Sequence, residues 1–184
     1  MIPNIIGFHA NDAIKFTDPI KDDCFIMASD TKWFGNGMYF WDNLSNANYW
    51  VRKKLRESEI ECVYIISANI IINQLLDLTD YDIIDKIERI WINYCKLKKI
   101  VDYKHIPVGV RLNILFDFFP DIRNEYKVIK GIGFYKNSKQ HHFYVYDAAH
   151  NENIPYITSQ IKTIYCVKCP TKIIDVKKVT ELKK

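Results

Sequence analysis

Short apolar runs mark the two ends of the chain, and helical spacing marks its middle. Ile5-Ile6-Gly7-Phe8-His9-Ala10 is a brief apolar run closed by the polar Asn11, and it predicts a buried strand. Asp12 to Lys21 is mixed and broken by Pro19, which predicts a short helix and then a loop. Cys24-Phe25-Ile26-Met27 is a second short apolar run. Met38 to Trp41 is apolar and aromatic and suits a strand. Leu44, Ala47, Val51 and Leu55 recur at helical spacing, with Asp42 or Asn43 placed to cap that helix. Glu61 to Ile72, rich in Val, Ile and Tyr, predicts another strand.

Tyr81 to Ile100 carries the clearest helical stripe, with Ile83, Ile87, Ile90, Tyr94 and Leu97 on one face. Asp80, Asp82 and Asp85 lie near its start and Lys96, Lys98 and Lys99 near its end, as the helix dipole favours. Pro107 opens a second helical stretch, Val108 to Phe118, and Pro120 is expected to stop it. Strand patterns return over Tyr126 to Tyr135, Gln140 to Tyr146, Ser159 to Val167 and Lys172 to Val176. Val176 to Lys184 reads as a charged, solvated end. Helices in the middle and strands towards both ends predict an α+β fold, and 184 residues predict a single domain over 1–184.

Composition narrows the function classes only slightly. A hydrophobic content of 48% with 14% aromatics fits a globular chain. The net charge of +4, from 26 basic and 22 acidic residues, allows a nucleic-acid partner without requiring one. The five cysteines are odd in number and lack the spacing of a secreted framework. With no signal-like opening and no apolar run of bilayer length, a cytoplasmic location and no membrane partner are expected. Cys166 and Cys169 form one C-x-x-C pair that a strand would point to opposite faces, and His141-His142 lacks a partner set. No metal site is expected.

The stretch with the most chemistry is Trp33-Phe34-Gly35-Asn36-Gly37-Met38-Tyr39-Phe40-Trp41. Its two glycines let a backbone approach a ligand closely, and Tyr39, with Tyr49 downstream, offers a flat face with a polar tip. The same residues also suit a glycine turn entering a core strand. Arg52, Lys53, Lys54 and Arg56 read either as a solvated helix face or as a phosphate-contacting patch.

Taken in order, His9, Gly35-Asn36-Gly37-Met38-Tyr39-Phe40 and Ser45-Asn46-Ala47-Asn48-Tyr49 resemble the ADP-ribosyltransferases of the poly(ADP-ribose) polymerase, or diphtheria-toxin-like, type. That family carries a histidine at the end of its first strand, then G-x-G-hydrophobic-Y-F, then a polar helix rich in Ser, Ala, Asn and Tyr. Val128-Ile129-Lys130-Gly131, Ser159-Gln160-Ile161 and Val167-Lys168-Cys169-Pro170 look like the closing strands of small bacterial members. The resemblance implies an ADP-ribosyltransferase-like fold of two packed, mainly antiparallel sheets forming an NAD cleft, with helices at the side. It implies NAD as substrate and no metal. His9 would hold an adenosine-ribose hydroxyl, Tyr39 would line the nicotinamide slot and Tyr49 would stack from the other side. Ala10, Gly37 and Asn46 would complete the NAD-binding set.

Two positions depart from the family pattern. Ala10 stands where a glycine usually follows the histidine, which narrows the allowed backbone angles. Gln160 stands at the place of the catalytic glutamate, so the implied catalytic set is His9, Tyr39 and Gln160, with Glu152 in the loop before it. An amide can hydrogen-bond a ribose hydroxyl, but it neither neutralises a developing cation nor serves as a base. The resemblance therefore implies transfer of a single ADP-ribose unit to nucleic acid or protein. By analogy, the protein would be a toxin or phage-defence effector with an antitoxin or chaperone partner. The missing carboxylate leaves open an NAD glycohydrolase, or an inactive module that binds NAD, ADP-ribose or a partner protein.

Overall fold

Asn4 to Asp12 form β1, the strand expected from the first apolar run, in a computed structural model that describes residues 2–16, 25–135 and 159–184. Met38–Trp41 is β2, and helix α1 spans Leu44–Glu57. Asn43 caps α1 by accepting the Asn46 N–H at 2.9 Å, while Asp42 braces the amides of Asn43 and Asn46. Strand β3 is Cys62–Ile71 and β4 is the short Leu75–Asp77. Helix α2, Tyr81–Leu97, starts at Asp80, whose carboxylate accepts the N–H groups of Asp82 and Ile83. Helix α3 is Val108–Phe118.

Pro120 does not simply end that segment. It opens a further short helix, α4, Pro120–Glu125, because its fixed φ and missing N–H suit a first helical position. Strand β5 is Val128–Phe134, β6 is Ile161–Val167 and β7 is Ile173–Lys183. The supposed solvated end is thus most of a strand, paired with β3 from Cys62↔Lys183 to Ile70↔Ile173. The strand expected over Gln140 to Tyr146, with His141-His142, Glu152 and the stretch from Thr17 to Cys24, lies outside the described residues.

The seven strands form one sheet in the order β4-β5-β6-β2-β1-β3-β7, parallel at β4–β5 and antiparallel elsewhere. This corrects the expectation of two packed sheets enclosing a cleft. Strand β2 pairs with β6 on one side and β1 on the other, so strands from both ends of the chain join one ladder. The β1–β2 join is narrow. It consists of the single register pair Phe8↔Trp41, against nine pairs between β1 and β3.

Each face of the sheet has its own apolar layer. Trp91 of α2 and Leu112 and Leu115 of α3 pack on Leu76, Ile129, Ile164 and Cys166. Farther along, Ala47 and Val51 of α1 pack on Ala10, Val63 and Ile65, and Trp41 touches both groups. The opposite face buries Met38, Phe40, Ile66, Ile70 and Val167 beneath Phe16, Phe25 and Ile26. Among the described residues no helix is long and apolar enough to cross a membrane.

Candidate functional site

Beyond the Phe8↔Trp41 pair, a cavity of about 480 Å³ opens, within the range of small-molecule sites. His9, Ala10 and Asn11 of β1 form one side, and the aromatic side chains of Trp33, Tyr39, Trp41 and Tyr135 form much of the rest. Lys32, Lys53 and Lys54 add positive charge, and Asp30 is the one carboxylate among the described lining residues.

His9 bridges the narrow strand join. Its Nδ1 lies 2.7 Å from the Tyr39 carbonyl oxygen, and its ring packs against Phe40 and Phe16. A carbonyl only accepts, so Nδ1 carries the proton and Nε2 keeps a lone pair. Burial pushes the imidazole pKa down from 6.5 to about 4, with Lys54 and Lys15 adding to the effect, so the ring is neutral near pH 7. Among the described residues, Nε2 is approached by the Asn11 amide nitrogen at a long 3.5 Å. Asn11 in turn accepts from Lys54 Nζ at 3.0 Å, and burial lowers the Lys54 pKa. A chain of alternating donors and acceptors therefore runs from Tyr39 O through His9 and Asn11 to Lys54.

The glycine-bearing loop forms the facing wall, and it is firmly tied. Asp30 accepts the N–H groups of Lys32 at 3.1 Å and Trp33 at 2.8 Å. The Tyr39 hydroxyl lies 2.6 Å from both Asp30 Oδ2 and the Gly35 carbonyl, and its oxygen accepts the Phe34 N–H at 3.0 Å. Burial, with Cys166 and Asp30 alongside, raises the Tyr39 pKa far above that of free phenol. Lys168 Nζ donates to the carbonyls of Phe34 and Asn36, and Asn113 of α3 accepts the Asn36 N–H and donates to Asp30 O. Tyr39 is thus both a cavity wall and the peg that fixes the loop.

The two glycines serve packing in this loop. Gly35 has φ +77°, where side chains are disfavoured, and a Cβ there would meet Asn113 Oδ1 at 2.2 Å. A Cβ on Gly37 would meet Cys166 Sγ at 2.5 Å. Gly37 also exchanges two backbone hydrogen bonds with Ala28, which set the 28–30 segment against the cavity.

Of the residues expected at the site, His9, Ala10 and Tyr39 line the cavity, whereas Gly37, Asn46, Tyr49 and Gln160 do not. Asn46 is buried and accepts Lys162 Nζ at 2.7 Å while donating to Asp42 at 2.9 Å. Tyr49 is half-exposed; Lys162 Nζ stands 5.2 Å from the centre of its ring, and the edge of Tyr135 meets it. Burial lowers the Lys162 pKa, partly countered by Asp42. Gln160 sits at the turn before β6, where its carbonyl accepts the Tyr135 N–H at 2.9 Å.

Asn11, Asp30 and Tyr135 are cavity residues with no site role expected from the sequence, whereas Trp41 lies in the glycine-aromatic stretch and Lys54 in the basic patch noted there. Asn11 had a usable signal: on a strand it shares a face with His9, two positions earlier. Asp30 had a weaker one, since Asp favours turns that accept N–H groups two and three residues on. Among the described residues, no group of three His, Cys, Asp or Glu side chains is placed to hold a metal ion. No protein-family model matches the chain, and no curated protein matches it in sequence.

Proposed function

We propose that this protein is an NAD-consuming mono-ADP-ribosyltransferase, releasing nicotinamide and passing one ADP-ribose unit to nucleic acid or protein in the cytoplasm. The observation that carries the reading is the meeting of His9 and Tyr39, the two ordered motif residues, in one aromatic-walled cavity. The neutral His9 Nε2 suits a sugar hydroxyl as donor. The rings of Trp33, Trp41 and Tyr135 suit a planar heterocycle. As the bond from nicotinamide nitrogen to ribose C1′ breaks, its electron pair leaves with the nicotinamide and positive charge grows on the ribose. A nucleophile of the acceptor then bonds to C1′ and gives up its proton. Asp30 is the one carboxylate among the described lining residues, and three donors already engage it. A role as toxin or phage-defence effector with a protective partner rests on resemblance alone.

A second reading, binding of NAD or ADP-ribose without turnover, is favoured by one specific observation. Gln160 lies outside the described cavity lining, and an engaged Asp30 is a weak substitute for a free carboxylate. The test is NAD labelled in its adenosine half, incubated with the protein and cell extract. The transferase reading expects released nicotinamide and label on a macromolecule, lost on digestion with protease, RNase or DNase according to the acceptor. Free ADP-ribose alone would indicate a glycohydrolase. Calorimetric NAD binding without nicotinamide release would support the second reading, and neither binding nor release would overturn both.

A further inference from the structure

Among the described residues, the Lys54 side of the cavity carries more basic than acidic side chains, and the proposed reaction at the ribose leaves Lys54 unused. Lys54 Nζ has one hydrogen-bond acceptor, Asn11 Oδ1 at 3.0 Å, and no described carboxylate pairs with it. It is half-buried, so its charge is poorly hydrated. Lys53 and Lys32 line the same cavity, and Lys15 is near enough to lower the pKa values of both Lys54 and His9. Asp12 is the acidic group that opposes this field at Lys54. The carboxylate on the far wall, Asp30, is turned into the glycine loop by two N–H groups and the Tyr39 hydroxyl.

We propose that Lys54, with Lys53 beside it, forms a subsite for the phosphate anhydride of a nucleotide, next to the sugar-binding His9. Lys54 has two further ammonium protons to offer, and a phosphate oxygen accepts charge-assisted hydrogen bonds. The order of the wall then sets the direction of the ligand. Sugar hydroxyl meets His9 Nε2, diphosphate meets Lys54, and the planar ring lies against the aromatic side. A cavity of about 480 Å³ is of a size for a free nucleotide, which we take over a phosphodiester strand. This assignment rests on the proposed nucleotide reading for its sugar contact, but the anion contact is testable without any turnover.

The experiment is calorimetric titration of the intact protein with ADP, with adenosine and with a short single-stranded oligonucleotide. ADP should bind more tightly than adenosine, with an affinity that falls as salt is added. Lys54→Met should weaken ADP binding about ten- to a hundredfold, the worth of a hydrogen bond to a charged group, and leave adenosine affinity where it was. Lys54→Arg, which keeps the charge, should retain most of the ADP affinity and controls for folding. Equal affinities for ADP and adenosine would overturn the subsite, as would an ADP affinity unchanged in Lys54→Met. An oligonucleotide that binds more tightly than ADP would overturn the choice of a free nucleotide. NAD turnover failing while ADP binds through Lys54 would refute the transferase reading and leave the subsite standing.

Discussion

Acidification should destabilise this protein through His9, and the size of the effect follows from where the ring sits. The imidazole is buried, its pKa is lowered to about 4, and its one close partner among the described residues is the Tyr39 carbonyl at 2.7 Å. In the unfolded chain the ordinary value of 6.5 applies. Between these two values the unfolded state binds a proton that the folded state refuses, so stability falls as pH falls. The contribution is intact above about pH 6.5 and drains away down to about pH 4. Linkage gives a loss of about 2 kcal/mol by pH 5 and about 3 kcal/mol by pH 4 from this residue alone. Urea unfolding at pH 7.5 and pH 5, for the wild type and His9→Asn, isolates the term. Asparagine places an amide N–H near the position of Nδ1 and does not titrate. The wild type should lose about 2 kcal/mol more than the variant over that interval. Equal losses in the two proteins would refute the reasoning.

Two further outcomes probe the walls of the site. Tyr39→Phe should reduce stability by about 1–3 kcal/mol in urea unfolding, because the Phe34 N–H loses its acceptor and Asp30 loses a donor; an unchanged midpoint would show that the loop is held without the hydroxyl. Asn46→Ala strands the Lys162 ammonium, and should lower stability by about 1.5–3 kcal/mol, with Lys162→Met in the same background restoring part of it. Additive effects of those two substitutions would argue against the coupling.

Local pattern made several elements legible. β1, α1, α2 and α3 all followed from apolar spacing and caps, because Ala47 and Val51, or Ile87 and Trp91, face the sheet directly. β7 was misread beyond Val176 because it is an edge strand. Its exposed lysines, including Lys177 and Lys183, look like a solvated tail until β3 is known to lie alongside. β4 is only three residues long and carries no periodicity to detect. The single sheet was illegible for a different reason: pairing of β2 to both β6 and β1 is long-range, and neither strand announces its partner. At the site, the place of His9 in the first strand was readable, although the strand runs on to Asp12, whereas Lys54 reached the cavity by the turn of a helix and the direction of one long side chain. Tyr49 shows the reverse case. Its place in the motif gave it a stacking role, while Lys162, over a hundred residues on, occupies the approach to its ring.

The loop from Asp30 to Gly37 is held by partners that arrive late in the chain. Its tie to Asn113 spans 77 residues and its tie to Lys168 spans up to 134. Contacts of that separation carry a loop-closure cost that the local sequence cannot offset, so they hold the loop only where those distant segments are in place. The aromatic wall of the cavity is therefore an assembly product of α3 and β6 docking, not a local motif that folds by itself. A fragment ending before α3 would contain the whole glycine-tyrosine signature and still lack the loop that makes it a wall. For this chain, the shape of the cavity wall depends on distant segments being in place.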